Sequence, residues 1–212
     1  MLHLRVFSSM GGILLSVNTG VQDSFEDKLH RTLTWYRVPL MAAALVAVVG
    51  FIHDRGAFFI GTPVALLGEL IQMWAASHLH KDERLTVSGP YSYVRNPMYI
   101  GRFILGLGFF IMTRNPYLII GYIVLFAIYA HLRVGREERR LKQLFAPDYQ
   151  TYCAEIRRWL PSLKPYSQSE KRRASWSQVC ANHEQINLIG LILVLLAVYL
   201  RIERLGHLYW HF

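Results

Sequence analysis

Only two cysteines occur in 212 residues, Cys153 and Cys180, and the 14 acidic residues are outnumbered by 23 basic ones. Two thiols in segments read as cytosolic exclude a disulfide framework and leave no cysteine cluster for zinc. Histidine does not fill that gap. His78 and His80 stand two apart, do not share a helix face, and have no second ligand pair near them, so no metal site is expected. The apolar stretch Leu2 to Val17 makes a poor secretory signal: it is interrupted by Ser8-Ser9 and Gly11-Gly12, which leaves a short apolar run, and no clear small-residue cleavage site follows. Residues 1–34 therefore read as a mobile or surface-lying arm. The shortage of acid leaves a formal net charge of +9, yet 53% of the residues are hydrophobic. Nucleic-acid binding asks for a basic face on a soluble fold. Here long apolar runs separate the charges, which excludes a nucleic-acid partner and points to a membrane protein with basic faces.

Those runs organise the chain. Trp35 to Ile52 is apolar and about 18 residues long, near the lower limit for a bilayer core. His53 to Gly56 turns the chain, and Ala57 to Ser77 reads as a second spanning helix that tolerates Pro63. Glu69 and Gln72 lie inside it. An intramembrane carboxylate is costly, so either Glu69 sits near the cytosolic end and reaches water, or it is a functional or paired position, with Arg102 in the next helix as its expected ion-pair partner and a joint substrate contact. Met98 to Met112 is short and carries Gly101, Gly106 and Gly108, small residues that allow close helix approach. Thr113 to Pro116 turns the chain into a fourth helix, Tyr117 to Leu132, so these two segments suit a hairpin. Residues 136–146 read as a separate amphipathic helix broken at Ala146-Pro147, with Asp148 capping the next one. Residues 162–184 are polar and basic and read as a linker. Ile186 to Ile202 could span again, which would put His207 to Phe212 on the far side with Tyr209 and Trp210 at the interface. The fold class is thus an all-α membrane bundle of about five spanning or re-entrant helices, with a core over 35–161 and a last helix over 185–212.

Eleven cations fall between Arg133 and Arg173, against one each in the turns near Arg55 and Arg114. The positive-inside rule places that region, the 78–96 loop and the N-terminus in the cytosol, with most of these cations near anionic headgroups.

Between the second and third runs lies Ser88 to Gly101, SGPYSYVRNPMYIG. Gly89-Pro90 marks a turn, and Pro97 biases Asn96 away from helix, so a helix starts at Pro97. Arg95 and Asn96 then sit at a helix N-terminus, where free N–H groups and the positive dipole end favour an anionic group. The competing reading is an interfacial loop with tyrosines at headgroup level.

This stretch resembles the signature G-P-Y-x-Y-x-R-[HN]-P-x-Y-x-G of the isoprenylcysteine carboxyl methyltransferase and phospholipid methyltransferase superfamily. Glu137-Glu138, followed by Leu141, Phe145, Tyr149 and Tyr152 and then Trp159-Leu160-Pro161, is similar to that family's second conserved piece. The run from Gly68-Glu69-Leu70 through Trp74 to Leu85 also looks like the bacterial branch, so the likeness covers Leu66 to Pro161.

The resemblance implies an integral membrane methyltransferase using S-adenosylmethionine. It makes Gly89, Tyr91, Arg95, Asn96, Tyr99 and Gly101 cofactor contacts. Arg95 and the helix start suit the cofactor's carboxylate, the tyrosines supply aromatic walls, and Glu137 or Glu138 suits the ribose hydroxyls or the ammonium. It also implies an arginine that orients the substrate; Arg133 is the better match, with Arg136 left open, and Arg133 shares a helix face with Glu137. Asn96 stands where the isoprenylcysteine enzymes carry histidine, which weakens a prenylated-cysteine substrate. Ala146-Pro147 replaces the family's glycine. Two readings compete: a sterol-type membrane reductase using NADPH, whose related element reads H-P-N-Y-x-G-E, and a non-catalytic scaffold or carrier. The acceptor is lipid-like, and its methylated atom stays open.

Overall fold

The computed structural model describes residues 43–209 except Asp82, and of residues 205–209 only the backbone. The chain divides into two units, Met1–Ala43 and Ala44–Phe212, and the architecture below belongs to the second. The N-terminal arm, the start of the first spanning run and residues 210–212 lie outside the described residues.

Among the described residues every regular element is helical. Residues 43–50 are helical (α1), followed by α2 (Arg55–Ala76), a short 3₁₀ turn (Gly89–Ser92), α3 (Pro97–Met112), α4 (Pro116–Leu144), α5 (Asp148–Glu155), α6 (Trp176–Ala181) and α7 (Glu184–Tyr209). Helices α2, α4 and α7 are long and apolar enough to cross a membrane. Helix α3, with 16 residues, is about 24 Å long and falls short of a core about 30 Å thick. Large apolar side chains stay exposed along α4 (Ile120, Val124, Leu125, Ile128, Leu132) and α7 (Ile189, Leu193, Leu196). Apolar faces of that extent mark a lipid-contacting surface.

Helices α2 and α3 form the closest pair because both are notched. A Cβ on Gly101 would meet Gln72 Cγ at 2.6 Å and the Gly68 carbonyl oxygen at 2.7 Å; one on Gly108 would meet the Gly61 oxygen at 2.7 Å. Small residues one above another let two backbones touch, which is how helices associate in lipid. Around this crossing Ile52, Phe58, Ala65, Phe109 and Met112 pack with Leu191, Leu195, Val198 and Ile202 of α7, so the last helix completes the bundle.

One end of the bundle is tied by charge. Asp54 caps α2, accepting from Ala57 N at 2.6 Å, and its other oxygen pairs with Arg114 at 2.9 Å in the α3–α4 turn. Arg55 pairs with Glu203 at 3.4 Å, and Arg201 donates to the Val49 carbonyl at 2.5 Å. The opposite end, where α2 leads into α3, carries the Ser88–Gly101 loop.

Three expectations need correction. Helix α4 runs unbroken to Leu144 instead of ending at Leu132, because nothing between the two segments stops it. Gly135 alone weakens a helix by about 1 kcal/mol without ending it, and Arg133 and Glu137 support it one turn apart. Asp148 is the first residue of α5, not its cap; Pro147 holds that position, and the Asp148 charge favours the helix from its first turn. Residues 162–184 are not a free linker: they hydrogen-bond back onto the Ser88–Gly101 stretch and contain α6.

Candidate active site

Helix α3 begins at Pro97 with Asn96 as its N-cap, and Gly89 turns the chain with φ +58°, a left-handed conformation glycine adopts without penalty. Gly89 also lies against the His78 ring, whose Nδ1 is 3.2 Å from Ser88 Oγ. Burial, then the positive charge of Arg172, lowers the His78 pKa, which favours the neutral ring. His80 lines the cavity described below, and its ring Nδ1 is buried without a partner.

The C-terminal segment clasps this loop. Arg95 N donates to the Arg157 carbonyl at 3.0 Å, Ser162 N to Tyr93 at 2.7 Å, and Tyr166 N to Ser92 at 2.8 Å. Beneath it Val87, Tyr149, Tyr152, Ile156 and Tyr166 form a second apolar cluster, and the Tyr152 hydroxyl donates to the Tyr91 carbonyl at 2.5 Å. Burial holds the Tyr91, Tyr149 and Tyr152 phenols well above their ordinary pKa, so all three stay protonated.

A cavity of about 280 Å³ opens between this loop and α4. The loop and α3 contribute Tyr91, Arg95, Asn96, Tyr99 and Arg102, and α4 contributes Arg133 and Glu137. Arg102 lies over the Tyr99 ring, 5.4 Å from its centroid. Arg133 and Glu137, one turn apart, bring one charge of each sign to the same wall.

The two adjacent glutamates separate. Glu137 faces the cavity, while Glu138 is 5% exposed and turned into the protein. There it receives Arg158, through Nε at 3.0 Å and through Nη2, and Arg95 Nη1 stands 3.6 Å away. Asn96 Nδ2 reaches both Glu138 at 3.5 Å and the Arg158 carbonyl at 3.3 Å. Burial works to lower the Arg95 pKa, and Glu138 with Cys153 more than offsets it, so the guanidinium stays charged. Its Nη1 donates to Cys153 Sγ at 2.6 Å, while its Nε is buried with no partner, an unused donor beside the cavity.

Glu138, Gly89, Gly101 and Glu69 do not line this cavity. Gly101 is consumed by the α2–α3 crossing. The expected Glu69–Arg102 ion pair is not formed: Glu69 is 1% exposed, accepts from Gln72 at 3.3 Å, and has one oxygen without a partner. Sequence reasoning missed Arg158, which directly precedes the Trp159-Leu160-Pro161 element, and Asn182 and Glu184, which line the cavity from the α6–α7 junction. An acid placed immediately before an apolar run was the signal for Glu184.

A second, apolar recess of about 500 Å³ lies between α3 and α4, lined by Tyr99, Phe103, Phe126, Ala130, His131 and Trp159 among others. Tyr99 borders both spaces.

The phospholipid methyltransferase family matches residues 56–148. The chain is 28% identical over 117 residues to a protein-S-isoprenylcysteine O-methyltransferase of Xenopus laevis, covering 50% of this chain and 41% of that protein. It is 26% identical over 106 residues to the Schizosaccharomyces pombe protein-S-isoprenylcysteine O-methyltransferase, and 24% over 118 residues to a probable one from Oryza sativa subsp. indica, covering 45% and 62% of them and 50% of this chain each time. The chain therefore spans about half the length of the curated relatives it matches. No solved structure matches it. The matched segment spans nearly all of α2, the Ser88–Gly101 loop, α3 and α4, and it is through this core that the chain is similar to the phospholipid and isoprenylcysteine methyltransferases.

Proposed function

We propose that the protein is an S-adenosylmethionine-dependent methyltransferase of the membrane, acting on a lipid-like or small hydrophobic acceptor at the membrane–cytosol interface. One observation carries this reading: a single cavity gathers Tyr91, Arg95, Asn96 and Tyr99 from the loop with Arg133 and Glu137 from α4. These residues suit the cofactor. The partnerless Arg95 Nε and the start of α3 match a carboxylate, Glu137 matches hydroxyls or an ammonium, and Tyr91 and Tyr99 offer ring faces. When bound, the cofactor supplies an activated methyl group on a sulfonium.

The chain's own task is then geometric. Methyl transfer is an in-line displacement, so the site must align the groups and exclude water. The clasp of Arg157, Ser162 and Tyr166 fixes the loop that carries Arg95. Helix α4, unbroken from the membrane to Leu144, holds Arg133 and Glu137 on one rigid rod. Arg133 orients the acceptor's polar end, and the recess bordered by Tyr99 receives its apolar part from the bilayer. The excess of arginine and lysine after α4 supports a cytosolic site facing anionic headgroups.

The test is calorimetric binding of S-adenosylhomocysteine to the detergent-purified protein, beside NADPH. Binding of the homocysteine compound that is lost in Glu137→Ala is expected. Binding of NADPH alone would replace the reading with a reductase, and no binding of either to folded protein would replace it with a scaffold.

A further inference from the structure

Glu184 opens α7 and belongs to the part of the chain beyond the family match at 56–148. It is 2% exposed and lines the cavity beside Asn182. Asn182 pins that corner: its Nδ2 donates to the carbonyls of Ala76 and Leu79, both at 3.1 Å, so the start of α7 is fixed against the end of α2. The Glu184 carboxylate accepts one hydrogen bond, from Asn187 Nδ2 at 2.6 Å. Among the described residues no lysine, arginine or histidine pairs with it.

A second acid lies behind it. Glu69 is 1% exposed, within electrostatic reach of Glu184, and its Oε1 has no partner. Two buried carboxylates without a cation are an expensive arrangement. The dipole of α7 offsets part of the cost at Glu184, but does nothing for Glu69, about two turns inside α2. The cavity is the open space next to Glu184. Its lining has a mixed charge: Lys81, Arg84, Arg95, Arg102 and Arg133 suit an anion, and the two acids are Glu137 and Glu184. Glu137 is only half-buried and stands one turn from Arg133, whereas Glu184 is fully buried with the neutral Asn187 amide as its donor.

We propose that Glu184, with Glu69 behind it, is the counter-ion for a substituted ammonium group bound in this cavity. The proposal rests on the methyltransferase reading, in which two ligands bring such a nitrogen: the amino-acid end of the cofactor, and an amine acceptor. Glu184 thereby makes α7 part of the binding site and gives a positive ligand charge its complement there.

The experiment uses the full chain in detergent. Calorimetry compares S-adenosylhomocysteine with its desamino analogue, which keeps the carboxylate and loses the ammonium, on the native protein, Glu184→Gln and Glu184→Asp. Methyl transfer to phosphatidylethanolamine in mixed micelles is measured in parallel. If the nitrogen is the cofactor's, the native protein prefers the amino compound at least about tenfold, roughly the worth of one desolvated charge pair. Glu184→Gln then loses that preference, its affinity for the desamino compound holds, and Glu184→Asp restores the preference. If the nitrogen is the acceptor's, the preference survives in Glu184→Gln while the KM for phosphatidylethanolamine rises about tenfold or more. A Glu184→Gln protein in which neither quantity moves overturns the proposal, even if its melting temperature falls, because a helix-end charge alone predicts that pattern. Should Glu184→Gln not fold, Glu69→Gln leaves the helix end intact and is read by the same two ratios. Failure of the native protein to bind S-adenosylhomocysteine removes the methyltransferase reading itself, and this proposal with it.

Discussion

Glu137 and Glu138 are identical in type and adjacent in sequence, yet their substitution should have opposite consequences. Glu138 is 5% exposed and pairs with Arg158 and Arg95, whose side chains are 33% and 15% exposed. Breaking a buried pair by removing one partner costs about 3–5 kcal/mol, because the remaining charge is left uncompensated. Arg158 is one-third exposed and recovers water, so about 2–3 kcal/mol is the expected loss for Glu138→Gln. Glu137 faces the cavity, and Glu137→Gln should leave stability within about 0.5 kcal/mol. For binding the order reverses. A charge-assisted hydrogen bond to a ligand is worth about 1.5–3 kcal/mol, so Glu137→Gln should weaken S-adenosylhomocysteine about 10- to 150-fold. Thermal melting in detergent and calorimetry on the same two preparations read both quantities. If Glu138→Gln melts like the native protein, or if Glu137→Gln melts as low as Glu138→Gln and binds normally, the division of labour between the two acids is wrong.

Three further outcomes follow from the packing and the charges. Gly101→Val places a branched side chain against Gln72 and the Gly68 carbonyl; it should cost about 1–3 kcal/mol or prevent folding, whereas Gly121→Ala on α4, where nothing stands within 4 Å, should be neutral or add up to about 1 kcal/mol by helix propensity; expression and melting of the pair decide it. Tyr152→Phe removes the 2.5 Å bond to the Tyr91 carbonyl and should cost about 1–3 kcal/mol, for a buried acceptor is left unsatisfied; the melting temperature should fall while the helical circular dichroism stays. His78 has a depressed folded pKa through burial, so the unfolded chain binds its proton first on acidification. Its contribution to stability is complete above the ordinary value near pH 6.5 and is lost as pH falls below it toward the folded pKa. Melting temperatures from pH 8 down to pH 5 should show this loss, and His78→Gln should flatten that limb; an equally steep limb in the variant would assign the effect to other groups.

Local chemistry made much of this architecture legible. Pro97 after Asn96 predicted the start of α3, and Gly89-Pro90 the turn before it, because both residues restrict the backbone independently of tertiary context. Apolar length placed α2 and α7 within two residues at their starts. Where several signals compete, reading failed. The abrupt gain of charge after Leu132 suggested a new helix, but charge does not break a helix, and α4 passes through it. Glu69 and Arg102 were paired by depth, a criterion that ignores the direction of each side chain: Arg102 turns to the Tyr99 ring, and Glu69 accepts from Gln72 on its own helix. Gly101 belongs to the motif and to the helix crossing at once, and the crossing accounts for its lack of a side chain.

The least legible part was the segment after Pro161, for a physical reason. Its polar composition lacks the periodicity that announces an amphipathic element, and its long-range backbone partners lie in the loop formed some seventy residues earlier and at the end of α2. Ser162 and Tyr166 donate to Tyr93 and Ser92, Ser175 to Ser77, and Asn182 caps the end of α2. Polar backbone left unpaired beside a membrane is costly, so a polar stretch that closes over a loop is held as firmly as a helix once those bonds form. This placement has a consequence for the core shared with the methyltransferase relatives. Residues 56–148 supply Arg95, Arg133 and Glu137, but the clasp that orders the Arg95 loop, and the Asn182–Glu184 corner of the cavity, come from outside it. A chain ending after α5 would retain the motif residues and lose the bonds that hold them in register, so it should bind S-adenosylhomocysteine far more weakly than Gly121→Ala or any other change confined to the lipid-facing side of α4.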